Sequence, residues 1–166
     1  VGELNKNKNH EVIIRAIAKI DNPDIHYIVC GEGQLKGYLR DLSEDLGIKN
    51  RVHLLGFRKD IAEICKVSAL FTFPSYREGL SVALMEAMAN GLPVVCSNIS
   101  GDSDLIEDGK GGYLVEPGDV EGFAKYIKEL IEDSEIRIEL GGFNHKKIEN
   151  YSIENVLKEM EEIYFD

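Results

Sequence analysis

The sequence predicts an α/β fold: a Rossmann-like parallel sheet flanked by helices, with a helical C-terminus. Three observations predict it. Short apolar runs alternate with stretches of helical periodicity, several runs stop at glycine or proline, and after residue 118 the pattern is helical alone. Repeated strand and helix units of this kind call for a parallel sheet covered on both faces.

Each element follows in order. Val12, Ile13, Ala16, Ile17 and Ile20 mark one face of a helix, and the run Ile25 to Cys30 then reads as a strand ending at Gly31-Glu32-Gly33. Leu35, Leu39, Leu42 and Leu46 give a second helix that Gly47 can close. Arg51 to Leu55 is a strand stopped by Gly56, Ile61 to Lys66 a short helix, and Ala69 to Phe73 a strand stopped by Pro74. Ser81 to Ala89 is helical, with Gly91 and Pro93 leading into the strand Val94 to Ser97, and Tyr113 to Val115 is a last strand. Asp119 caps a helix carrying Phe123, Ile127 and Leu130; Ile136, Leu140 and Phe143 suggest another, weakened by Gly141-Gly142; Ser152 caps a third carrying Val156, Met160 and Ile163.

At 166 residues the chain, 1–166, is read as one domain, since domains run to about 100–200 residues. With 43% apolar and 30% charged residues, and 16 Gly against 4 Pro, it is neither disordered, collagenous nor coiled-coil. No apolar run approaches the roughly 20 residues of a membrane span and no signal segment opens the chain, so the expected location is cytoplasmic. The formal charge of −11 argues against nucleic acid as a partner. Its distribution is uneven: residues 1 to 83 carry 12 Lys and Arg against 11 Asp and Glu, residues 84 to 166 carry 7 against 19, so an anion site is expected in the first half. Cys30, Cys65 and Cys96 form no paired motif and read as reduced core thiols, and the four histidines have no metal-ligand spacing, so no metal is expected.

Ligands of such sheets bind at the C-terminal ends of the strands. Four unusual segments fall there: Gly2 to His10, Gly31 to Gly33, Gly56 to Lys59 and Ser75 to Ser81. Glu86 stands in an otherwise apolar helical run, where a carboxylate needs a partner. It lies five residues past Ser81, about 7 Å along the helix, so an extended ligand can place phosphate oxygens on the amides of Gly79 to Val82 and a diol on Glu86. The plainer reading of Glu86 is a core carboxylate satisfied by backbone amides or a basic neighbour. Glu78 ends the preceding loop, where it can face sugar hydroxyls or merely solvent. Lys8 precedes Asn9, a candidate N-cap, and its ammonium can point into the same crevice to offset charge on a departing diphosphate; it can equally be a solvated surface lysine. Gly31-Glu32-Gly33 lacks the third glycine of a dinucleotide fingerprint and marks a tight turn. Arg58 and its neighbours can lie against a base or form a plain loop.

These segments together resemble a known family. PSYREGLSVALMEAMANGLPVV, with Glu78 and Glu86 seven residues apart in the intervening sequence, is similar to the signature of the group 1 (family 4) retaining glycosyltransferases of GT-B fold. VGELNKNKNH, IVCGEGQL and HLLGF resemble the family's other donor-domain blocks in the right order, so the resemblance covers essentially the whole chain. It implies the C-terminal half of a GT-B fold, binding a UDP- or GDP-linked sugar without a metal or other cofactor. It implies Lys8 on the donor diphosphate together with the amides of Gly79, Leu80 and Ser81, Glu86 on the ribose and Glu78 on the transferred sugar. Gly2 would belong to the donor site, Gly31 and Gly33 would shape its pocket, and Arg58 would approach the base through its backbone. Glu78 and Lys8 would be the catalytic pair, and a hexose would pass with retention to a polysaccharide or glycolipid acceptor.

Two departures stand beside the resemblance. The family usually has Arg directly after the first glycine, where this chain has Glu3, with Lys6 the nearest substitute cation. The acceptor-binding half is also missing, so the chain reads as part of a longer enzyme whose N-terminal Rossmann domain is its partner, the isolated part catalysing little and the whole cytoplasmic or peripheral to a membrane. The closing helix, Ser152 to Tyr164, resembles the family helix that packs back on that N-terminal domain, though ordinary core packing explains it as well. A sugar-nucleotide epimerase or a phosphorylase fits the fold but not the EGLS block. A non-catalytic half-domain kept for interaction or regulation is the alternative, and Glu3 is the residue that favours it.

Overall fold

The computed structural model describes residues 1–153, 155, 157 and 160. It has the α/β order α1 (His10–Lys19), β1 (Tyr27–Cys30), α2 (Lys36–Asp45), β2 (Val52–Gly56), α3 (Ile61–Lys66), β3 (Phe71–Phe73) and α4 (Val82–Ala89). β4 (Val94–Ser97), α5 (Ser100–Ser103), β5 (Gly112–Val115), α6 (Val120–Glu132) and α7 (Ser134–Ile148) complete it, with single 3-10 turns at Lys49–Arg51 and Glu149–Tyr151.

The strands are all parallel, as expected, but they form two hydrogen-bonded groups rather than one. β1 pairs with β2, and β4 pairs with β3 on one side and β5 on the other. Between β1 and β3 lies an apolar slot lined by Tyr27, Ile28, Leu70 and Phe71 together with Ile17, Ile64 and Ile127. Val1 lines the same slot, and the Gly2 N–H donates to the Cys30 carbonyl at 2.9 Å. The two groups therefore share helix packing without sharing a ladder.

The caps explain where the helices begin. Asp119 accepts the Gly122 N–H at 3.0 Å to open α6, and Asp133 accepts those of Glu135 and Ile136 at 2.9 and 3.0 Å to open α7. Gly47, at φ 72°, closes α2 as the sequence suggests, its N–H reaching Glu44 O at 2.9 Å while Ile48 N–H reaches Ser43 O. Gly141 and Gly142 do not interrupt α7, which runs unbroken through both. A Cβ on Gly141 would sit 2.0 Å from the Gly91 carbonyl, so this glycine lets the helix rest directly on the turn after α4. Asn144 secures the contact, donating to Leu92 O at 2.8 Å and Gly111 O at 2.6 Å.

Two cores result. One joins α1, β1, α2 and α6 through Ile13, Ile17, Val29, Leu39, Phe123 and Leu130; the other joins β3, β4 and α4 through Phe73, Leu84, Met88, Val94 and Cys96. Cys30, Cys65 and Cys96 are free and buried. No described helix is long and apolar enough to cross a membrane. Ser152 Oγ accepts the Asn155 N–H at 3.3 Å, beginning the last helix as expected. Ile153, Leu157 and Met160 are helical and exposed there, while Val156, Ile163 and Tyr164 fall outside the described residues.

Candidate functional site

The segments singled out in the sequence meet at the C-terminal ends of β1, β2, β3 and β4. Residues 2 to 8 lie between two arms. On one side Gly31 and Gly33 pack against this segment's backbone, and a Cβ would stand 1.9 Å from Gly2 O at Gly31 and 2.5 Å from Leu4 O at Gly33. Gly31 also has φ 150°, so its missing side chain is required twice over. Reciprocal backbone bonds, Leu4 N to Glu32 O at 2.9 Å and Leu35 N to Leu4 O at 3.0 Å, hold the arm in place.

On the other side the segment binds the loop after β3. Asn7 O accepts the Tyr76 N–H at 2.9 Å, and Asn7 Nδ2 donates to Arg77 O at 2.9 Å. These contacts bring Lys8 Nζ to Glu78 Oε1 at 2.7 Å, with the ammonium 4.7 Å from the centre of the Phe73 ring. The Lys8 and Glu78 side chains are 20% and 14% exposed, shielded but open to a ligand. A Cβ on Gly2 would touch Lys8 Cε at 3.0 Å, so the glycine gives the lysine its path along the backbone.

Beyond Glu78 the amides of Gly79, Leu80 and Ser81 donate to no other group among the described residues. Ser81 is the N-cap of α4, its Oγ accepting the Leu84 N–H at 3.4 Å. Free N–H groups at a helix start, next to a lysine, form an anion-binding arrangement. Gly79 has nothing among the described residues within 4 Å of where a Cβ would be, and both Gly79 and Leu80 are exposed.

The remaining predicted residues fall around this centre. Arg58 lies across the crevice on the loop after β2, exposed and paired with Asp60 through Nε at 2.8 Å. With Gly2, Glu3, Gly31, Glu32 and Phe57 it lines a crevice of about 370 Å³. Glu3, standing where a cation was expected, is exposed and accepts Asn5 Nδ2 at 3.0 Å.

Two local expectations are corrected. Glu86 is exposed rather than buried: α4 turns Leu84, Ala87 and Met88 inward, and Glu86 projects from the opposite side without a side-chain hydrogen bond among the described residues. Its charge still reaches Cys65, whose thiol is pushed up by burial first and by Glu86 second. Asn9 occupies the N-cap position of α1 but does not cap it; it adopts a left-handed conformation, φ 48° and ψ 39°, with no side-chain bond to the helix. The turn is held instead by Asn5 Oδ1, which accepts the Lys8 N–H at 3.0 Å.

One residue at the site went unread in the sequence. Asp102, in α5, is wholly buried, and its carboxyl is pushed up to about 7, by burial first and by Glu78 second, against the lowering influence of Lys8. The run Ser-Gly-Asp-Ser reads as a polar turn, with no periodicity to reveal that α5 packs beneath the Glu78 loop.

Comparison with known proteins bears on this arrangement. The family model for glycosyl transferases group 1 matches residues 1–147. EpsD of Bacillus subtilis, described as a putative glycosyltransferase, is 32% identical over 164 residues, covering 98% of this chain and 43% of the relative. A galactosyltransferase of Escherichia coli that acts on GlcNAc-diphosphoundecaprenol is 31% identical over 145 residues, covering 87% of this chain and 38% of its own. Among solved structures, Anabaena HepE in complex with UDP-glucose superposes with a TM-score of 0.90 at 26% identity, over 98% of this chain and 46% of that one. The C-terminal domain of the Francisella tularensis group 1 protein LpcC superposes at 0.83 with 26% identity, over 92% and 84%. The chain thus spans about two fifths of the length of the curated relatives it matches. With its parallel fold and strand-end crevice, this chain belongs to the group 1 glycosyltransferases.

Proposed function

We propose that this chain is the donor-binding domain of a retaining glycosyltransferase, holding a nucleoside-diphosphate sugar in the crevice between the arms at Gly31 and Glu78. The observation that carries the reading is the conjunction of three amides unengaged among the described residues, Gly79 to Ser81, with the Lys8 ammonium held beside them by Glu78. A diphosphate entering there takes the amides and Lys8, and Glu78, released from the lysine, accepts hydroxyls of the sugar. Lys8 then offsets the charge that grows on the leaving diphosphate, so no metal is needed. Glu86, exposed on α4 and without a side-chain partner among the described residues, can take the ribose diol, and Arg58 and Gly31 border the space left for the base. Complexes of HepE with UDP and with UDP-glucose support this reading.

Transfer of a hexose to a polysaccharide or lipid-linked acceptor is part of the proposal, with the acceptor held by an N-terminal Rossmann domain and the enzyme cytoplasmic or peripheral to a membrane. The undecaprenol-linked substrate named for the Escherichia coli relative supports a lipid-linked class. A non-catalytic role is the second reading, favoured by Glu3. Lys8→Ala separates the two: the donor reading expects UDP affinity to fall at least tenfold, about 1.4 kcal/mol, with the melting profile retained. Equal affinity in parent and variant contradicts it.

A further inference from the structure

Asp102 has no role in the site as described, yet its position demands one. Asp102 is 0% exposed, and neither carboxylate oxygen has a hydrogen-bond partner among the described residues. Orphaned buried carboxylates are rare because desolvation is costly. Two further orphans sit at the same rim: Ser75 Oγ just beyond β3 and Ser97 Oγ at the end of the adjacent β4, both fully buried.

The preceding residue fixes the geometry. A Cβ on Gly101 would lie 2.3 Å from Gly79 O and 2.7 Å from Glu78 O, so the first turn of α5 is flush against the backbone of the anion-binding loop. The groups whose charge Asp102 feels are Glu78 and Lys8 on the two loops above, and its own charge raises the Cys96 thiol on β4, which Asp108 also affects. The only cation in this set, Lys8, is already engaged by Glu78.

We propose that Asp102 is a third member of the Lys8–Glu78 site, a buried positioning carboxyl that takes up a proton when a diphosphate binds and thereby makes donor affinity depend on pH. The inference rests on the donor-binding reading. With Asp102 neutral, Lys8 and Glu78 sum to zero charge beneath the incoming anion; with Asp102 ionised, the three sum to −1 and repel it. Burial holds its titration near pH 7, so the change falls in the neutral range. Linkage fixes the sign: an anion bound above Asp102 stabilises its protonated form, so affinity is full below about pH 7 and is lost as pH rises.

The test is titration of the protein with UDP-glucose and GDP-mannose, whose phosphates are esterified and carry no proton titrating near neutrality, at pH 6.5 and 8.5. The parent is expected to bind one of them at least about threefold more weakly at pH 8.5, and Asp102→Asn to bind it with less than about twofold change. A pH slope that persists in Asp102→Asn, or a parent with no slope, overturns the inference. If the variant fails to fold, calorimetry of the parent at pH 7.5 in buffers of different ionisation enthalpy reads the proton directly; uptake on binding is expected, and its absence overturns the proposal. Failure of both nucleotide sugars to bind at pH 6.5 contradicts the donor-binding reading itself and this inference with it.

Discussion

Lys8 and Glu78 neutralise each other across the rim of β3, and each holds the place a ligand group would take. Both were legible because their loops break the apolar pattern at the ends of strands. Glu86 was legible as a polar intruder but not in its direction: Val82, Ala83, Leu84, Met85, Ala87 and Met88 make α4 apolar all round, so the sequence contains no polar face to orient it. Asp102 was not legible, because its burial comes from the loop lying over α5. At this scale the fold carries two opposing titrations. His10, buried and bonded to Tyr27 at 2.8 Å, is pushed down from 6.5 to about 3 by burial, so its contribution to stability is full above pH 6.5 and is lost as pH falls toward 3. Asp102 is raised from 3.8 to about 7, so its contribution is full below 3.8 and is lost as pH rises toward 7. Their slopes cancel between about pH 4 and 6.5. Asp102→Asn removes one of them: its stability relative to the parent should grow from pH 4 to 7, by up to about 1.4 kcal/mol per unit, then level off. Urea melts of both proteins across that range check it, and parallel curves would refute the assignment.

At the scale of elements, most helices and strands stood where periodicity put them, with differences at the ends. Ile25 and Ala69 precede their strands because the ladders begin at Tyr27↔Val52 and Phe71↔Val94. The four-residue α5 left no periodic trace. The glycines of α7 misled because sequence does not distinguish a helix-weakening glycine from one at a close approach. The structure separates the pair. Gly142 has nothing among the described residues within 4 Å of a Cβ, so Gly142→Ala should stabilise by roughly 0.5–1 kcal/mol. Gly141→Ala would drive a methyl into Gly91 O and should destabilise by about 1–3 kcal/mol. Thermal melts of the two variants test the contrast. Gly101→Ala combines packing and function, since its Cβ meets the carbonyls of Glu78 and Gly79. It should both lower the melting temperature and weaken UDP binding, and unchanged binding would mean that α5 does not support the loop.

For the whole molecule, the alternation of runs captured the fold class but not the division of the strands into two groups, which depends on which edges meet across the slot under Val1. Charge was read more directly. The near-neutral first half, residues 1 to 83, supplies Lys8 and the loops of the crevice, while the second half carries most of the acidity. The anion site therefore sits at the edge of an acidic body, and nucleotide affinity should depend only modestly on salt, because Lys8 and the amides act at contact distance rather than through a long-range field. Titration with UDP and GDP by calorimetry, with and without magnesium, decides whether this crevice is a donor site. One nucleotide is expected to bind without magnesium, more weakly in Glu86→Ala with stability unchanged, and more weakly in Lys8→Ala as well. Binding that needs magnesium, or that neither substitution alters, would contradict a donor site built on Lys8, Glu86 and the amides of Gly79 to Ser81.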